Sequence, residues 1–135
     1  MNDTIQPGLE TTQQFDVDDA RVTRHMGDDL GVYGTPFLLR DIERVCHNLL
    51  QEHLDENQST VGTYVNLKHL APTLEGARVT LTAKVSAVDR RAVTFEVIVR
   101  DEVEELARAE HGRFVVEKSK LKQRLQDKAE KMRGE

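Results

Sequence analysis

Glu43 and His69 are two ionisable residues that interrupt the apolar faces of their predicted elements. Glu43 follows Leu39 by four residues and precedes Cys46 by three, so it lies on the apolar side of a predicted helix. A carboxylate buried there loses solvation, and it needs a partner or stays protonated. Alternatively, Glu43 lies at the edge of the apolar stripe and its carboxylate reaches water. The position of Glu43 in the sequence supports the two alternatives equally.

His69 continues a predicted strand whose inward face is mainly apolar. That face is formed by Val61, Thr63, Val65 and Leu67. A single inward histidine is more often a hydrogen-bonded core residue than a catalytic one. From its position alone, a structural role is therefore favoured for His69.

Three further polar residues and one glycine have structural explanations of their own. Thr35 precedes Pro36, and a Thr at the N-cap with a Pro at the first helical position is a good helix start. His111 and Arg113 are two residues apart on a predicted strand, so they share a face, and a surface cross-strand pair would explain them. Gly62 in the middle of a strand suggests a β-bulge or a close approach to the backbone.

The sequence predicts no metal site and no cofactor site. Cys46 is most simply a small core residue. His47 follows Glu43 at helical spacing, but one Glu and one His make a poor metal site. There is no Gly-Xaa-Ser-Xaa-Gly elbow, no phosphate loop with Gly-Lys-Ser/Thr, no His-Glu-Xaa-Xaa-His pair and no Cys-Xaa-Xaa-Cys pair.

One long helix followed by alternating strands must position these residues. The helix is predicted from Thr35 to about Leu54, because apolar residues recur there at steps of three and four. After Ser59 the period changes to two, which is typical of strands with one packed face. The predicted strands are 61–67, 79–87, 93–99 and 106–116, with a weaker strand at 15–22 and a surface helix at 117–132. Short connections indicate antiparallel neighbours, with the long helix lying across the packed face.

The composition limits the classes of function. At 135 residues the chain has the size of one domain. A net charge of −5, with only two Tyr, four Phe and no Trp, disfavours binding to nucleic acid. A single cysteine excludes an internal disulfide framework. The sequence has neither a signal-peptide pattern at its start nor an apolar run long enough to span a membrane, so we expect a soluble, cytoplasmic protein.

Several segments resemble the fluoroacetyl-CoA thioesterase-like branch of the hotdog superfamily. The run from Val61 to Thr73, followed by Gly76, is similar to its central motif. Further similarity lies in Thr35-Pro36, Asp101-Glu102 and His111-Gly112-Arg113. The resemblance covers roughly residues 15 to 125 and implies an α+β hotdog fold, an antiparallel sheet wrapped around one long helix. We therefore divide the chain into a flexible N-terminal arm (1–14), a hotdog domain (15–117) and a C-terminal surface helix (118–135).

The resemblance also implies a catalytic constellation. The family's Thr at the helix start, Glu two turns on and His after the Gly-Thr strand match Thr35, Glu43 and His69. Glu43 would act as base or nucleophile, and His69 would carry protons to the leaving sulfur. Thr35 would hydrogen-bond to the carboxylate or to a water. Gly62 would lie near the thioester, a backbone N–H near it would hold the carbonyl oxygen, and Arg113 would bind substrate.

The implied activity is hydrolysis of a small or medium acyl-CoA to free acid and CoA. Aromatic residues that shape a lid over the fluoroacetyl group in the name-giving enzyme have no clear counterparts here, so the acyl group is left open. The resemblance implies a homodimer and leaves open whether dimers pair into tetramers. The alternatives are a non-catalytic acyl-CoA-binding hotdog dimer, a structural dimerisation module and a hotdog dehydratase. The joint presence of Thr35, Glu43 and His69 favours the hydrolase, because a binder needs neither a base nor a proton donor.

Overall fold

A five-stranded antiparallel sheet packs against one long helix in the computed structural model, which describes residues 1–134. The strands are β1 (Glu10–Asp16), β2 (Val22–Thr23), β3 (Val32–Tyr33), β4 (Gln58–His69), β5 (Arg78–Asp89), β6 (Ala92–Arg100) and β7 (Glu105–Glu117), and the helices are α1 (Thr35–Gln51) and α2 (Lys118–Met132). The order in the sheet is β1-β5-β6-β7-β4, and β2 and β3 form a separate hairpin. The predicted α+β architecture is confirmed.

Helix α1 buries its apolar stripe against the sheet. The buried residues of the stripe are Leu38, Ile42, Val45, Cys46, Leu49 and Leu50. The helix ends at Gln51, three residues before the predicted end, because the amides of His53 and Leu54 bond to carbonyls only three residues back and tighten the chain into a turn. The prediction for Cys46 is confirmed, since its side chain is fully buried and burial raises the pKa of the thiol to about 12.

Alternation in β6, and in β5 up to Val85, matches the predicted inward faces, whereas Ala87, which continues the alternation of β5, is exposed because the register shifts after Val85. The buried residues are Val79, Leu81, Ala83 and Val85 in β5, and Val93, Phe95, Val97 and Val99 in β6. These eight side chains belong to the hydrophobic core against which α1 packs. Because both strands pair on both sides, their backbone groups are satisfied within the sheet.

The first segment of the chain differs from the predicted loose arm. β1 begins at Glu10 and ends at Asp16, rather than running over 15–22, and it pairs along its whole length with β5. Ile5 is buried, and the amino group of Met1 donates to the Gln58 side chain. β1 consists mainly of Thr and Gln, so its sequence shows no apolar period. The strand is formed by its main-chain hydrogen bonds to β5. The division of the chain at residues 14 and 117 stays a prediction.

Strand β4 is an edge strand with a change of parity. It pairs only with β7, and the register shifts between Gly62 and Tyr64. Before this bulge the even-numbered Gln58 and Thr60 point inward, whereas after it the odd-numbered residues do. The predicted continuous face from Val61 to His69 is therefore wrong at Val61 and Thr63, which are exposed. The β-bulge expected from Gly62 is confirmed.

Neither helix within residues 1–134 is long and apolar enough to cross a membrane. Helix α2 has no buried residue and lies beside the end of β7.

Candidate active site

A buried ion-pair network fixes the start of α1. The Asp41 carboxylate is fully buried, and Arg21 donates to it from Nε at 2.8 Å and from Nη2 at 3.2 Å. It also accepts hydrogen bonds from the Tyr33 hydroxyl and from Nη2 of Arg44. Burial, reinforced by the bond to Asp41, raises the pKa of Tyr33. Because Tyr33 ends β3, this Asp41 network (Asp41, Arg21, Tyr33, Arg44) ties the β2–β3 hairpin to α1 and sets where the helix begins.

Thr35 is the first helical residue and not the predicted N-cap. Gly34 is the N-cap, and its carbonyl accepts from the amides of Phe37 and Leu38. The Thr35 hydroxyl is therefore not occupied in capping the helix. Instead, its Oγ1 lies 2.8 Å from Nδ1 of His69, at the end of β4.

His69 is held as a largely neutral imidazole beside Thr35. Its burial lowers its pKa, while a backbone interaction with Ala71 acts in the opposite direction. Its Nε2 is buried and has no hydrogen-bond partner within residues 1–134. An unpaired buried nitrogen is costly, so a polar group of a bound molecule at Nε2 would gain a hydrogen bond at little cost in lost protein contacts.

Glu43 lies eight residues after Thr35, about 12 Å further along the axis of α1. Its side chain is exposed, so of the two alternatives for Glu43 the structure has the edge-of-stripe one. The side chain of Glu43 is exposed because α1 passes over β4, the edge strand of the sheet. A Cβ added at Gly62 would come within 3.1 Å of Glu43 Oε1 and 3.4 Å of Arg113 Nη1. The missing side chain of Gly62 thus allows a carboxylate and a guanidinium to approach the β4 backbone.

Arg113 and His111 are buried, which corrects the predicted surface cross-strand pair. Arg113 donates from Nε to Thr60 Oγ1 at 2.8 Å and from Nη2 to the Thr60 carbonyl at 3.1 Å. Its Nη1 lies 3.2 Å from Nε2 of His111. Burial lowers the pKa of Arg113, and the nearby carboxylate of Glu43 acts against that shift. A guanidinium remains charged in proteins, so Glu43 supplies its counter-charge.

His47 completes the Arg113 network (Arg113, Thr60, His111, His47). Its Nδ1 lies 3.1 Å from Thr60 Oγ1, the same oxygen that accepts from Nε of Arg113. Burial is the main cause that lowers the pKa of His47. Within residues 1–134 no three His, Cys, Asp or Glu side chains are placed to hold a metal ion.

The structure thus arranges the sequence-predicted residues in two groups. Thr35 and His69 form one pair, and Glu43, Gly62 and Arg113 form the other group. No hydrogen bond within the described chain joins Glu43 to Thr35 or to His69. Sequence reasoning missed the inward position of His111, although it stands four residues before Val115 at a period of two, which would have placed both on one face.

Comparison with known proteins identifies the family. The model of the fluoroacetyl-CoA-specific thioesterase family matches residues 17–119, which is most of the chain. The chain belongs to this family. It is therefore a thioesterase, a hydrolase of thioester bonds. The fluoroacetyl-CoA thioesterase of Streptantibioticus cattleyicolor is 26% identical to this family member over 135 residues, covering 95% of this chain and 97% of that protein.

Solved structures confirm the hotdog fold of this thioesterase. A thioesterase superfamily member from Thermus thermophilus superimposes with a TM-score of 0.86 at 22% identity, over 97% of this chain and 98% of that one. A hot-dog-like protein from Thermanaerovibrio acidaminovorans gives a TM-score of 0.83 at 21% identity, over 90% and 91% of the two chains. The predicted hotdog sheet around one long helix is confirmed.

Proposed function

We propose that this thioesterase hydrolyses a small or medium acyl-CoA to the free acid and CoA, using Glu43, His69 and Thr35. The observation that carries the proposal is the exposed Glu43 carboxylate, whose Oε1 stands against the bare backbone of Gly62 and beside the guanidinium of Arg113. A carboxylate, a backbone open to substrate and a fixed cation are the groups that attack on a carbonyl requires.

Glu43 supplies the electron pair for the attack. It either adds directly to the thioester carbon or takes a proton from a water that adds there, and its exposed position admits both the substrate and the water. In the water route the carbon–sulfur bond then breaks to give the free acid. In the direct route the acyl group stays on Glu43 as an anhydride, which a water hydrolyses to the free acid. In both routes the departing sulfur takes up a proton. The Gly62 backbone N–H and Arg113 face the carbonyl oxygen on which negative charge develops.

His69 and Thr35 handle the proton that the sulfur takes up. A largely neutral His69 accepts the proton that Glu43 has taken from the water and passes it to the sulfur. The Thr35 hydroxyl, 2.8 Å from His69 Nδ1, fixes the orientation of the ring. Nε2, which has no partner in the described chain, is then the ring nitrogen available to carry the proton.

A homodimer would bring the two groups of residues together. β4 has 12 residues and one unpaired edge within the described chain, and it exposes Val61 and Tyr64. Such an edge is a template for pairing with another strand. If two copies pair antiparallel along β4 about a two-fold axis, the His69 end of one strand lies toward the Gly62 end of the other. Each site would then combine Thr35 and His69 of one chain with Glu43 of its partner.

Subunit complementation tests this arrangement. Glu43→Gln and His69→Ala chains are unfolded together, refolded as a mixture and assayed for thiol release. Sites shared between chains predict recovery toward a quarter of the parent rate, because half of the dimers are mixed and each has one intact site. Sites made by one chain predict no recovery. Light scattering that shows only a 15.4 kDa species would contradict the dimer itself.

The activity is tested with a panel of short, branched and aromatic acyl-CoAs, by measuring the thiol released. We expect at least one member to be hydrolysed by the parent chain, with Glu43→Gln as the inactive reference. An acyl-CoA that binds without release of thiol, across the whole panel, would instead support the non-catalytic acyl-CoA-binding dimer.

A further inference from the structure

His111 is a fully buried imidazole that the proposed reaction does not use. Its side chain faces α1 from β7 and is 1% exposed. Nδ1 lies 2.8 Å from the carbonyl oxygen of Tyr64, and Nε2 lies 3.2 Å from Nη1 of Arg113. Both ring nitrogens are therefore occupied by groups that belong to the immediate surroundings of Glu43.

The two contacts define the protonation state of the ring. A guanidinium has only donors, so Nε2 of His111 must accept the hydrogen bond from Arg113 and carries no proton. A backbone carbonyl only accepts, so Nδ1 carries the proton and donates it to Tyr64. Only the neutral imidazole protonated at Nδ1 satisfies both. Burial lowers the pKa of His111 and outweighs the bond to Tyr64, which acts in the opposite direction.

The bond to Tyr64 holds the β4 bulge in place. The register between β4 and β7 shifts between Gly62 and Tyr64, so the Tyr64 carbonyl marks the end of the bulge. Gly112 supports the same bulge, because a Cβ there would lie 2.2 Å from Cε1 of the Tyr64 ring and 2.8 Å from Thr63 Oγ1. The position of the Gly62 backbone thus depends on two residues of β7. His111 donates a hydrogen bond to the bulge, and Gly112 leaves room for the bulge because it has no side chain.

The bond to Arg113 orients the guanidinium toward Glu43. Nε and Nη2 of Arg113 are held by Thr60, which leaves Nη1 as the nitrogen that His111 fixes. A Cβ at Gly62 would lie 3.4 Å from this same Nη1 and 3.1 Å from Glu43 Oε1, so the guanidinium and the carboxylate both flank the Gly62 backbone. One imidazole therefore connects the backbone and the cation that flank the carboxylate.

We propose that His111 is a positioning residue of the thioesterase site, a neutral imidazole that holds the Gly62 bulge and the Arg113 guanidinium in one fixed relation to Glu43. The proposal rests on the proposed function, in which Glu43 attacks and Gly62 and Arg113 stabilise the oxygen. Misplacing such groups by about 1 Å can cost on the order of 10²-fold in rate. The loss belongs in kcat rather than KM, because the interactions are made with the transition state.

Three substitutions separate the two hydrogen bonds. His111→Asn places an amide N–H near the position of Nδ1 and keeps the donor to Tyr64, whereas His111→Gln places an amide oxygen near Nε2 and keeps the acceptor for Arg113. His111→Ala keeps neither. We expect kcat to fall roughly 10²-fold in His111→Ala, with KM little changed, and each amide variant to recover part of that loss.

A stability control excludes a merely structural effect. Val79→Ala removes buried methyl groups from β5, away from β7, and lowers the thermal midpoint without touching the site. Its kcat should equal that of the parent. If His111→Ala has the kcat of the parent, the proposal is wrong. It is also wrong if His111→Asn and His111→Gln are both as inactive as His111→Ala, because a positioning role requires that one retained hydrogen bond restores part of the rate.

The tautomer provides a readout that does not need activity. Long-range proton–nitrogen NMR at pH 7 should show His111 neutral and protonated at Nδ1, and a ring protonated at Nε2 overturns the proposal. If the parent hydrolyses acyl-CoA and the His111 variants do so at the same rate, the positioning role of His111 is wrong and the proposed function is unaffected. If the parent releases no thiol from any acyl-CoA, the proposed function fails, and the NMR result decides whether His111 holds the bulge and the guanidinium as described.

Discussion

Two buried charged networks lie along the same helix and differ in how completely they are closed. The Asp41 carboxylate accepts four hydrogen bonds, and its oxygens are fully buried. In the Arg113 network the charge is equally well held by Thr60 and His111, but its counter-charge, Glu43, is exposed. A closed network fixes a fold, whereas an open one leaves a charged group available for chemistry.

The same contrast separates stability from activity. Asp41 joins the hairpin to α1 and has no free face on which a substrate could bind. Glu43, only two residues later, faces the bare backbone of Gly62 at the edge of the sheet. If this contrast is correct, changes in the Asp41 network should lower the free energy of unfolding, and changes around Glu43 should lower the rate.

The largest effect on stability is expected for Asp41→Asn. It removes the buried charge that pairs with the buried Arg21 and the exposed Arg44, and breaking a buried ion pair costs about 3–5 kcal/mol. Chemical denaturation at fixed protein concentration measures the loss, with the exposed Asp28→Asn as the matched control. The rate per folded molecule should change less than tenfold. A stable Asp41→Asn variant that has lost its hydrolysis would reverse the proposed division between the two networks.

Thr35→Val is expected to have an intermediate effect, on rate rather than on stability. It keeps the shape of the side chain but removes the hydrogen bond to His69. A bond worth about 1.4 kcal/mol corresponds to a tenfold slower reaction. Thr35→Ser retains the hydroxyl and serves as the control. Because Gly34 caps the helix, the thermal midpoint of Thr35→Val should stay within a few degrees of the parent; equal rates for the Val and Ser variants would exclude Thr35 from the reaction.

The smallest effect is expected from pH. Burial lowers the pKa of His47, His69 and His111 below the ordinary value of about 6.5. The unfolded chain therefore binds more protons in acid than the folded chain does. The stability contributed by these neutral rings is complete above about pH 6.5 and is lost as the pH falls through their lowered values. Unfolding curves from pH 7.5 to 5 measure this loss, and His111→Gln should reduce its slope; a parent whose stability rises toward pH 5 would contradict the shifts.

Periodicity predicted the parts of the fold that are built from regular apolar patterns. α1, β6 and the part of β5 up to Val85 have regular apolar stripes, and burial follows these stripes closely. The first strand was predicted at 15–22, whereas β1 begins at Glu10. β1 is held by main-chain hydrogen bonds to β5, and such bonds do not depend on the types of the side chains.

Changes of strand parity explain most of what could not be predicted. Leu106 and Ala107 are both buried, so the inward face of β7 changes from even to odd positions at its start, and this brings His111 and Arg113 inside. The bulge after Gly62 does the same in β4. A single residue that shifts register moves every later side chain to the other face. In β4 the sequence alone does not show where that happens, whereas in β7 the spacing from His111 to Val115 indicates the later face. The roles of Thr35, Glu43, His69, Gly62 and Arg113 came from resemblance and stay predictions.

Hydrolysis by Glu43→Gln tests whether Glu43 performs the attack. The substitution keeps the shape of the side chain and removes its basicity. With the best acyl-CoA of the panel, we predict a rate lower by about 10²- to 10⁴-fold at an unchanged thermal midpoint. Glu52→Gln, an exposed glutamate at the end of α1, is the matched control and should retain the parent rate. A folded Glu43→Gln variant that releases thiol as fast as the parent would contradict the account.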